Sequence, residues 1–206
     1  MDIPKKSYFK KVKDKILNYS HNRLFDGNDT LFKEEIKEVN IYGEYGCGKS
    51  TSWVLKNTSA EVISVDTSLE WINLVKKENH DSEDRLVMYH TDFGEIGKWG
   101  RPKTYEKIDN FAEYTDIIWL KQKPQLILID GRFRVCCFLT TLKLADEGTK
   151  IIFDDYTNRS HYHFVEKYAK RLKMDGRQCL FVVPPKAKIN MTKLDEDIKS
   201  FRCVMD

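Results

Sequence analysis

Residues 43–51 (GEYGCGKST) combine glycines, a lysine and two aliphatic hydroxyls, which are residue types that could bind a phosphate or a nucleoside. Two patterns overlap here. The run from Gly43 to Ser50 reads Gly-x-x-x-x-Gly-Lys-Ser, which is typical of loops that hold the phosphates and Mg²⁺ of a nucleoside triphosphate. The run from Glu44 to Gly48 reads Glu-x-Gly-x-Gly, which is typical of the first strand-to-helix turn of a Rossmann-like sheet. The segment alone does not choose between the two.

Asp66 favours the second pattern. It follows Gly46 by 20 residues, and nucleoside-binding Rossmann units place an acid at about this distance, where it accepts hydrogen bonds from ribose hydroxyls. A triphosphatase assigns no role to an acid at this position. The structural alternative is that Asp66, Thr67 and Ser68 cap the next helix.

Residues 125–130 (QLILID) keep the phosphate-loop alternative open. A hydrophobic strand that ends in an aspartate resembles the second triphosphatase motif, in which the acid binds magnesium. However, no obvious catalytic glutamate follows Asp130, and the continuation GRFR is not the expected one. On the Rossmann-like interpretation, Lys49 could be a solvated lysine at the start of a helix that Ser50 and Thr51 cap.

Short β-rich runs alternate with helical stretches along the chain. The predicted strands are 38–42, 61–65, 86–90, 125–129, 150–153 and 179–183, with 201–205 as a candidate seventh. The predicted helices are 50–56, 69–77, 108–121, 135–145 and 161–172. This order predicts an α/β fold with a doubly wound, mostly parallel, Rossmann-like sheet of about seven strands and helices on both faces.

Acidic residues follow each of the first five predicted strands. They are Glu44, Asp66, Asp92, Asp130 and the pair Asp154 and Asp155. In sheets of this kind, ligands bind beyond the carboxyl ends of the strands. The acids therefore predict a ligand site along that edge.

Composition narrows the class of protein. The 206 residues predict one domain, 1–206, with a cofactor-binding core at 38–185 and a basic amphipathic helix, 1–25, packed on or beside it. A net charge of +3 is too small to indicate a nucleic-acid-binding surface, so no nucleic-acid partner is expected. No stretch is long and apolar enough to span a membrane, and five cysteines without a Cys-x-x-Cys pair suit a reducing compartment, so we expect a cytoplasmic protein.

In this order, the motifs resemble those of class I S-adenosylmethionine-dependent methyltransferases. The resemblance is carried by the Glu-x-Gly-x-Gly turn, by Val65 and Asp66, by Asp92 and Phe93, and by Asp130. Three further runs, 97–102 (GKWGRP), 130–134 (DGRFR) and 153–156 (FDDY), look like a bacterial O-methyltransferase-like subgroup. Lys49 departs from that subgroup, where a small residue is more usual.

The resemblance implies S-adenosylmethionine as the cofactor. In that family the first motif wraps the methionine part of the cofactor, the acid after the second strand holds the ribose, and the pair after the third faces the adenine. The cofactor-binding residues that it implies here are Glu44, Tyr45, Gly46, Gly48, Lys49, Ser50, Asp66, Thr67, Asp92, Phe93 and Asp130.

Methyl transfer is an in-line displacement, so the enzyme mainly positions the acceptor and removes its proton when the acceptor is a hydroxyl. Asp130, Asp154 and His161 are the predicted catalytic residues. Asp130, Asp154 and Asp155 resemble the Mg²⁺ ligands of metal-dependent O-methyltransferases, in which the ion lowers the pKa of the attacked hydroxyl. The continuation GRFR differs from those enzymes.

The predicted activity is O-methylation of a small hydroxylated acceptor, which would be the main partner, and a homodimer is one option for assembly. Two alternatives stay open. One is a P-loop ATPase or kinase that uses GEYGCGKS and LILID. The other is a methyltransferase-like binding module without turnover.

Overall fold

The computed structural model describes residues 23–205, and a seven-stranded sheet lies at its centre. The strands are β1 (Ile41–Tyr45), β2 (Glu61–Asp66), β3 (Leu86–His90), β4 (Leu126–Ile129), β5 (Lys150–Phe153), β6 (Lys173–Asp175) and β7 (Gln178–Val182). Their order is β3-β2-β1-β4-β5-β7-β6. The first five are parallel, whereas β7 is antiparallel to both β5 and β6. The predicted mostly parallel sheet is confirmed.

Residues 23–205 contain six α-helices, one before the first strand and five between or after the strands. They are α1 (Thr30–Glu35), α2 (Lys49–Asn57), α3 (Leu69–Glu78), α4 (Phe111–Asp116), α5 (Arg134–Leu144) and α6 (Met191–Phe201). Short 3₁₀ helices lie at His80–Arg85, Lys98–Gly100, Ile108–Asn110, Ile117–Trp119, Ser160–Lys167 and Lys186–Lys188. Across the described range, no helix has the length and apolarity needed to cross a membrane.

Alternate residues of the strands enter two separate hydrophobic cores, one on each face of the sheet. In β4, Leu126 and Leu128 pack on the side of α1 and α2, while Ile127 and Ile129 pack on the side of α4, α5 and α6. This follows from the two-residue period of a strand. It also explains why β4 is apolar throughout, because helices cover both of its faces.

Several predicted boundaries were wrong. The first strand lies at Ile41–Tyr45 rather than 38–42, so Glu44 and Tyr45 belong to the strand. Residues 201–205 form no strand, since α6 runs to Phe201 and packs Leu194 and Ile198 on the core. The missing strand is β6, which forms a hairpin with β7 inside the stretch after the predicted helix 161–172.

Two other helices differ from their predictions. The stretch 108–121 is divided into α4 and flanking 3₁₀ turns, and 161–172 is reduced to the 3₁₀ helix Ser160–Lys167. The predicted basic helix at 1–25 lies outside the described residues except for its last three, which are not helical.

Candidate active site

The turn after β1 is closed by backbone contacts on two sides. Gly46 has a φ of 91°, in the left-handed region that favours glycine, and its N–H donates to the carbonyl of Val65 in β2 at 2.8 Å. On the other side, a Cβ on Gly46 would lie 2.9 Å from Cα of Gly131, the second residue after β4. The turns after β1 and β4 therefore meet backbone to backbone, and no side chain fits between them at these positions.

Glu44 lies beneath this turn and does not face solvent. Its carboxylate accepts hydrogen bonds from the hydroxyls of Tyr42 and Ser50, both at 2.8 Å, and from the hydroxyl of Thr51. Burial outweighs these three donors and raises the pKa of Glu44 to about 7. The acid thus ties the first turn of α2 to β1, and it supports the glycine turn from below.

Lys49 and Ser50 are not arranged as a phosphate loop would need them. The ammonium of Lys49 lies 3.5 Å from the carbonyl oxygen of Arg23, and the Ser50 hydroxyl is buried against Glu44. Tyr45 also has its side chain in the core, where its hydroxyl donates to the carbonyl of Thr115 at 2.7 Å. Only the backbone of Tyr45 could face a ligand.

Asp66 joins β2 to the glycine turn. Its Oδ2 accepts the N–H of Cys47 at 3.0 Å, while its Oδ1 accepts the N–H of Ser68 at 2.8 Å. Asp66 therefore lies beside the glycine turn, while the cap of α3 is Ser68, whose hydroxyl accepts the N–H of Trp71 at 3.3 Å. Burial raises the pKa of Asp66, although backbone N–H donors oppose the effect. Each carboxylate oxygen can accept a second hydrogen bond, so Asp66 keeps acceptor capacity for a ligand hydroxyl.

The segment after β3 forms a small closed hairpin that contacts the residue directly after β2. Asp92 is exposed, whereas the Phe93 side chain is buried among aromatic rings of α4 and the turn after β4. A bridge between Ile96 and Pro102 closes the hairpin. The carbonyl at its tip, on Gly100, accepts the Thr67 hydroxyl at 2.9 Å. The hairpin therefore spans the ends of β2 and β3.

All three non-glycine residues with positive φ in the described range lie at this same edge of the sheet. Trp99 (64°) follows β3, Phe133 (52°) follows β4 and Asp155 (58°) follows β5. A left-handed conformation costs an L-residue about 1–2 kcal/mol. Such strain persists where the surrounding structure imposes it and often marks functional sites.

The acids after β4 and β5 come together, as the sequence predicted. One carboxylate oxygen from each of Asp130, Asp154 and Asp155 lies within 4.8 Å of the others. Arginines bind all three: Arg134 lies 3.0 Å from Asp130, and Arg177 lies 2.5 Å from Asp154. Burial, and then the charge of Asp154, raises the pKa of Asp130.

This donor set does not fit Mg²⁺. Asp154 is fully buried, and both of its oxygens accept from Arg177, with Gln178 donating a further bond at 3.0 Å. Asp155 accepts from Arg159 at 2.7 Å and also pairs with Arg177 at 3.0 Å. A divalent cation would have to enter beside guanidinium groups that keep their charge at any physiological pH. Protein groups enclose the Asp154 carboxylate, and its predicted catalytic role stays a prediction.

His161 lies in the 3₁₀ helix Ser160–Lys167, where it is exposed and its ring packs 4.3 Å from that of Tyr162. Its predicted catalytic role stays a prediction. Tyr156, in contrast, is buried and donates its hydroxyl to Glu166 at 2.7 Å.

Sequence reasoning missed Gly131, Arg177 and Trp71. The Trp71 indole donates to the carbonyl of Cys47 and covers Gly48. Arg177 lies in the two-residue turn between β6 and β7. The dipeptide Asp175-Gly176 is typical of tight hairpins and could have predicted this turn from the sequence.

The strand order, the glycine turn and the acids at one edge define the class of fold, which is that of the class I S-adenosylmethionine-dependent methyltransferases. No protein-family model matches the sequence, and no curated protein sequence matches it either. The class of fold is instead shown by solved structures.

A methyltransferase-like protein from Silicibacter pomeroyi DSS-3 is 27% identical and has a TM-score of 0.70, over 82% of this chain and 92% of that one. An O-methyltransferase from Bacillus cereus in complex with S-adenosylhomocysteine is 16% identical, with a TM-score of 0.52, over 89% and 93%. The N-methyltransferase NodS from Bradyrhizobium japonicum WM9, also with S-adenosylhomocysteine, is 10% identical, with a TM-score of 0.52, over 86% and 98%. These similarities show that the chain has the methyltransferase fold.

Proposed function

We propose that the chain is an S-adenosylmethionine-dependent methyltransferase that methylates a hydroxyl of a small acceptor. The observation that carries the proposal is the bond from the Cys47 N–H to Asp66, because it joins the first motif to the second-strand acid in one site. Two structural neighbours were crystallised with S-adenosylhomocysteine, which supports the same cofactor here.

In this proposal, the cofactor lies along the ends of β1 to β4. The backbone of the turn from Tyr45 to Gly48 would contact its methionine part, and the remaining acceptor capacity of Asp66 would bind the ribose hydroxyls. Asp92 and the backbone of Phe93 would face the adenine. Glu44 and Ser50 would contribute indirectly, because their hydrogen bond holds the glycine turn in place. Thr67 would contribute in the same way by holding the hairpin.

Trp99 is the residue we propose to cover the adenine. It lies at the tip of a hairpin that starts directly after Phe93 and is anchored on Thr67, so both ends of the hairpin are fixed at the adenosine end of the site. Its side chain is 62% exposed despite its size. A flat indole held there can stack on a base.

Asp130 is the proposed general base. About a third of its side chain is exposed, and Arg134 holds it through the carboxylate and the backbone carbonyl, both at 3.0 Å. A carboxyl with a raised pKa is a stronger base than an ordinary aspartate once it is deprotonated. His161 would assist from the acceptor side.

Calorimetric titration with S-adenosylhomocysteine and with Mg-ATP tests the cofactor class. We expect S-adenosylhomocysteine alone to bind, Asp66→Ala to weaken that binding at least about tenfold, and Lys49→Ala to leave it nearly unchanged. Asp81→Ala, an exposed aspartate of the 3₁₀ helix before β3, is the matched control. Binding of Mg-ATP alone, lost in Lys49→Ala, would establish the phosphate-loop alternative instead.

A panel of sugar, phenol, small-acid and amine acceptors then tests turnover. Methylation of a hydroxyl is the expected result, with Asp130→Asn slower at saturating acceptor. Methylation of amines alone would replace the O-methyl assignment. Cofactor binding without turnover of any acceptor would favour a binding module.

A further inference from the structure

Three guanidinium groups contact the three carboxylates that follow β4 and β5. Arg134 pairs with Asp130, Arg159 pairs with Asp155, and Arg177 pairs with both Asp154 and Asp155. Arg177 also lies 3.3 Å from Asp26. Each of the three carboxylates after β4 and β5 therefore has at least one guanidinium group beside it. Although the carboxylate oxygens lie close enough together for a metal site, guanidinium groups already contact them and would repel a cation.

Arg177 occupies the centre of this arrangement. Its Nε and Nη2 bind the two oxygens of Asp154 at 3.1 and 2.5 Å, and its Nη1 lies 3.0 Å from Asp155. Its backbone carbonyl also accepts the N–H of Tyr156 at 2.8 Å. Both the side chain and the main chain of this one residue thus fix the loop after β5.

We propose that Arg177 is a built-in cation that replaces a divalent metal at the acid cluster. A planar guanidinium binds a carboxylate with two parallel hydrogen bonds and does not dissociate or lose its proton. Together with Arg159, it keeps positive charge beside Asp154 and Asp155 at any physiological pH, so the site needs no metal to bring these acids together.

One consequence rests on the proposed function. Without a metal to lower the pKa of an acceptor hydroxyl, a protein base has to remove the proton of that hydroxyl. Asp130 is the base we infer, because it is the one acid of the three that is substantially exposed. The acceptor class is then a single hydroxyl, since a pair of neighbouring oxygens that chelate a metal offers no advantage here.

Electron paramagnetic resonance of Mn²⁺ added to the full chain tests the proposal without any acceptor. We expect the wild type to show no stoichiometric Mn²⁺ site and Arg177→Met to gain one, at least about 100-fold tighter, because a positive charge about 4 Å from the ion is removed. Asp154→Asn added to Arg177→Met should abolish the new site. Arg171→Met, an exposed arginine just before β6, is the matched control and should gain nothing.

Stoichiometric Mn²⁺ binding by the wild type that Asp154→Asn abolishes would overturn the proposal, as would a folded Arg177→Met protein that gains no site. If Arg177→Met does not fold, the wild-type titration and Arg177→Lys, which keeps the charge and should stay without a site, decide the matter. S-adenosylhomocysteine titration of the same samples keeps the two proposals separate, because wild type that binds both ligands contradicts only the role of Arg177.

Discussion

Replacing Glu44 by glutamine should change how the stability of the protein depends on pH. Burial raises the pKa of Glu44 from 4.5 to about 7, even though three hydroxyls donate to it. The folded state therefore keeps a proton that the unfolded chain loses. The resulting stability is complete below about pH 4.5 and is lost as the pH rises through about 7.

The magnitude follows from the two pKa values. Each pH unit between them corresponds to about 1.4 kcal/mol, so ionisation of Glu44 costs the wild type about 3 kcal/mol of its free energy of unfolding by pH 8. A glutamine has no proton to lose in this range. Relative to the wild type, Glu44→Gln should gain about 3 kcal/mol between pH 4 and pH 8.

Urea unfolding at several pH values, followed by circular dichroism, measures this difference. Glu70→Gln, at the exposed start of α3, is the control and should run parallel to the wild type. Other buried acids, such as Asp66 and Asp130, contribute equally to both proteins and cancel. If the curves of Glu44→Gln and the wild type run parallel from pH 4 to pH 8, the raised pKa of Glu44 is refuted.

Two further substitutions test the geometry of the site. Gly131→Ala should lose about 1–3 kcal/mol of stability and most of its S-adenosylhomocysteine binding, because the new methyl would lie 2.8 Å from the backbone nitrogen of Gly46 and collide with the Tyr114 hydroxyl. Thermal unfolding measures the loss against Gly97→Ala, where the methyl meets only ordinary contacts, and equal stability of the two would contradict the close approach. Trp99→Ala should weaken S-adenosylhomocysteine binding about tenfold through lost stacking, while Trp99→Phe keeps most of it. Tyr105→Ala, an exposed aromatic beyond the hairpin, is the control, and calorimetric affinities equal to wild type in Trp99→Ala would exclude the stacking role.

The sequence predicted most of the sheet because the strands carry strong local signals. The third and fifth strands were predicted with their observed bounds, since apolar β-rich runs flanked by polar turns define them. The error in the first strand came from treating Gly43 as its end. In the fold, Gly43 stays in β1 and packs against Pro124 and Ile127, a contact that local pattern cannot reveal.

The candidate site shows the same division. The acids after β1 to β5 could be predicted because each follows its strand directly in the chain, and parallel strands bring their carboxyl ends to one edge. What each acid does could not be predicted, because it depends on partners from elsewhere. Glu44 is buried by α2, and Asp66 holds the glycine turn.

By itself, the sequence determined the doubly wound architecture, the edge at which a ligand would bind and the acids that line it. Only the tertiary structure decided that Arg177 pairs with Asp154 and Asp155. Arg177 reaches Asp154 across 23 residues because the antiparallel register of β6 and β7 places their turn beside the end of β5. Such pairing depends on three-dimensional distance and burial, which residue spacing does not encode.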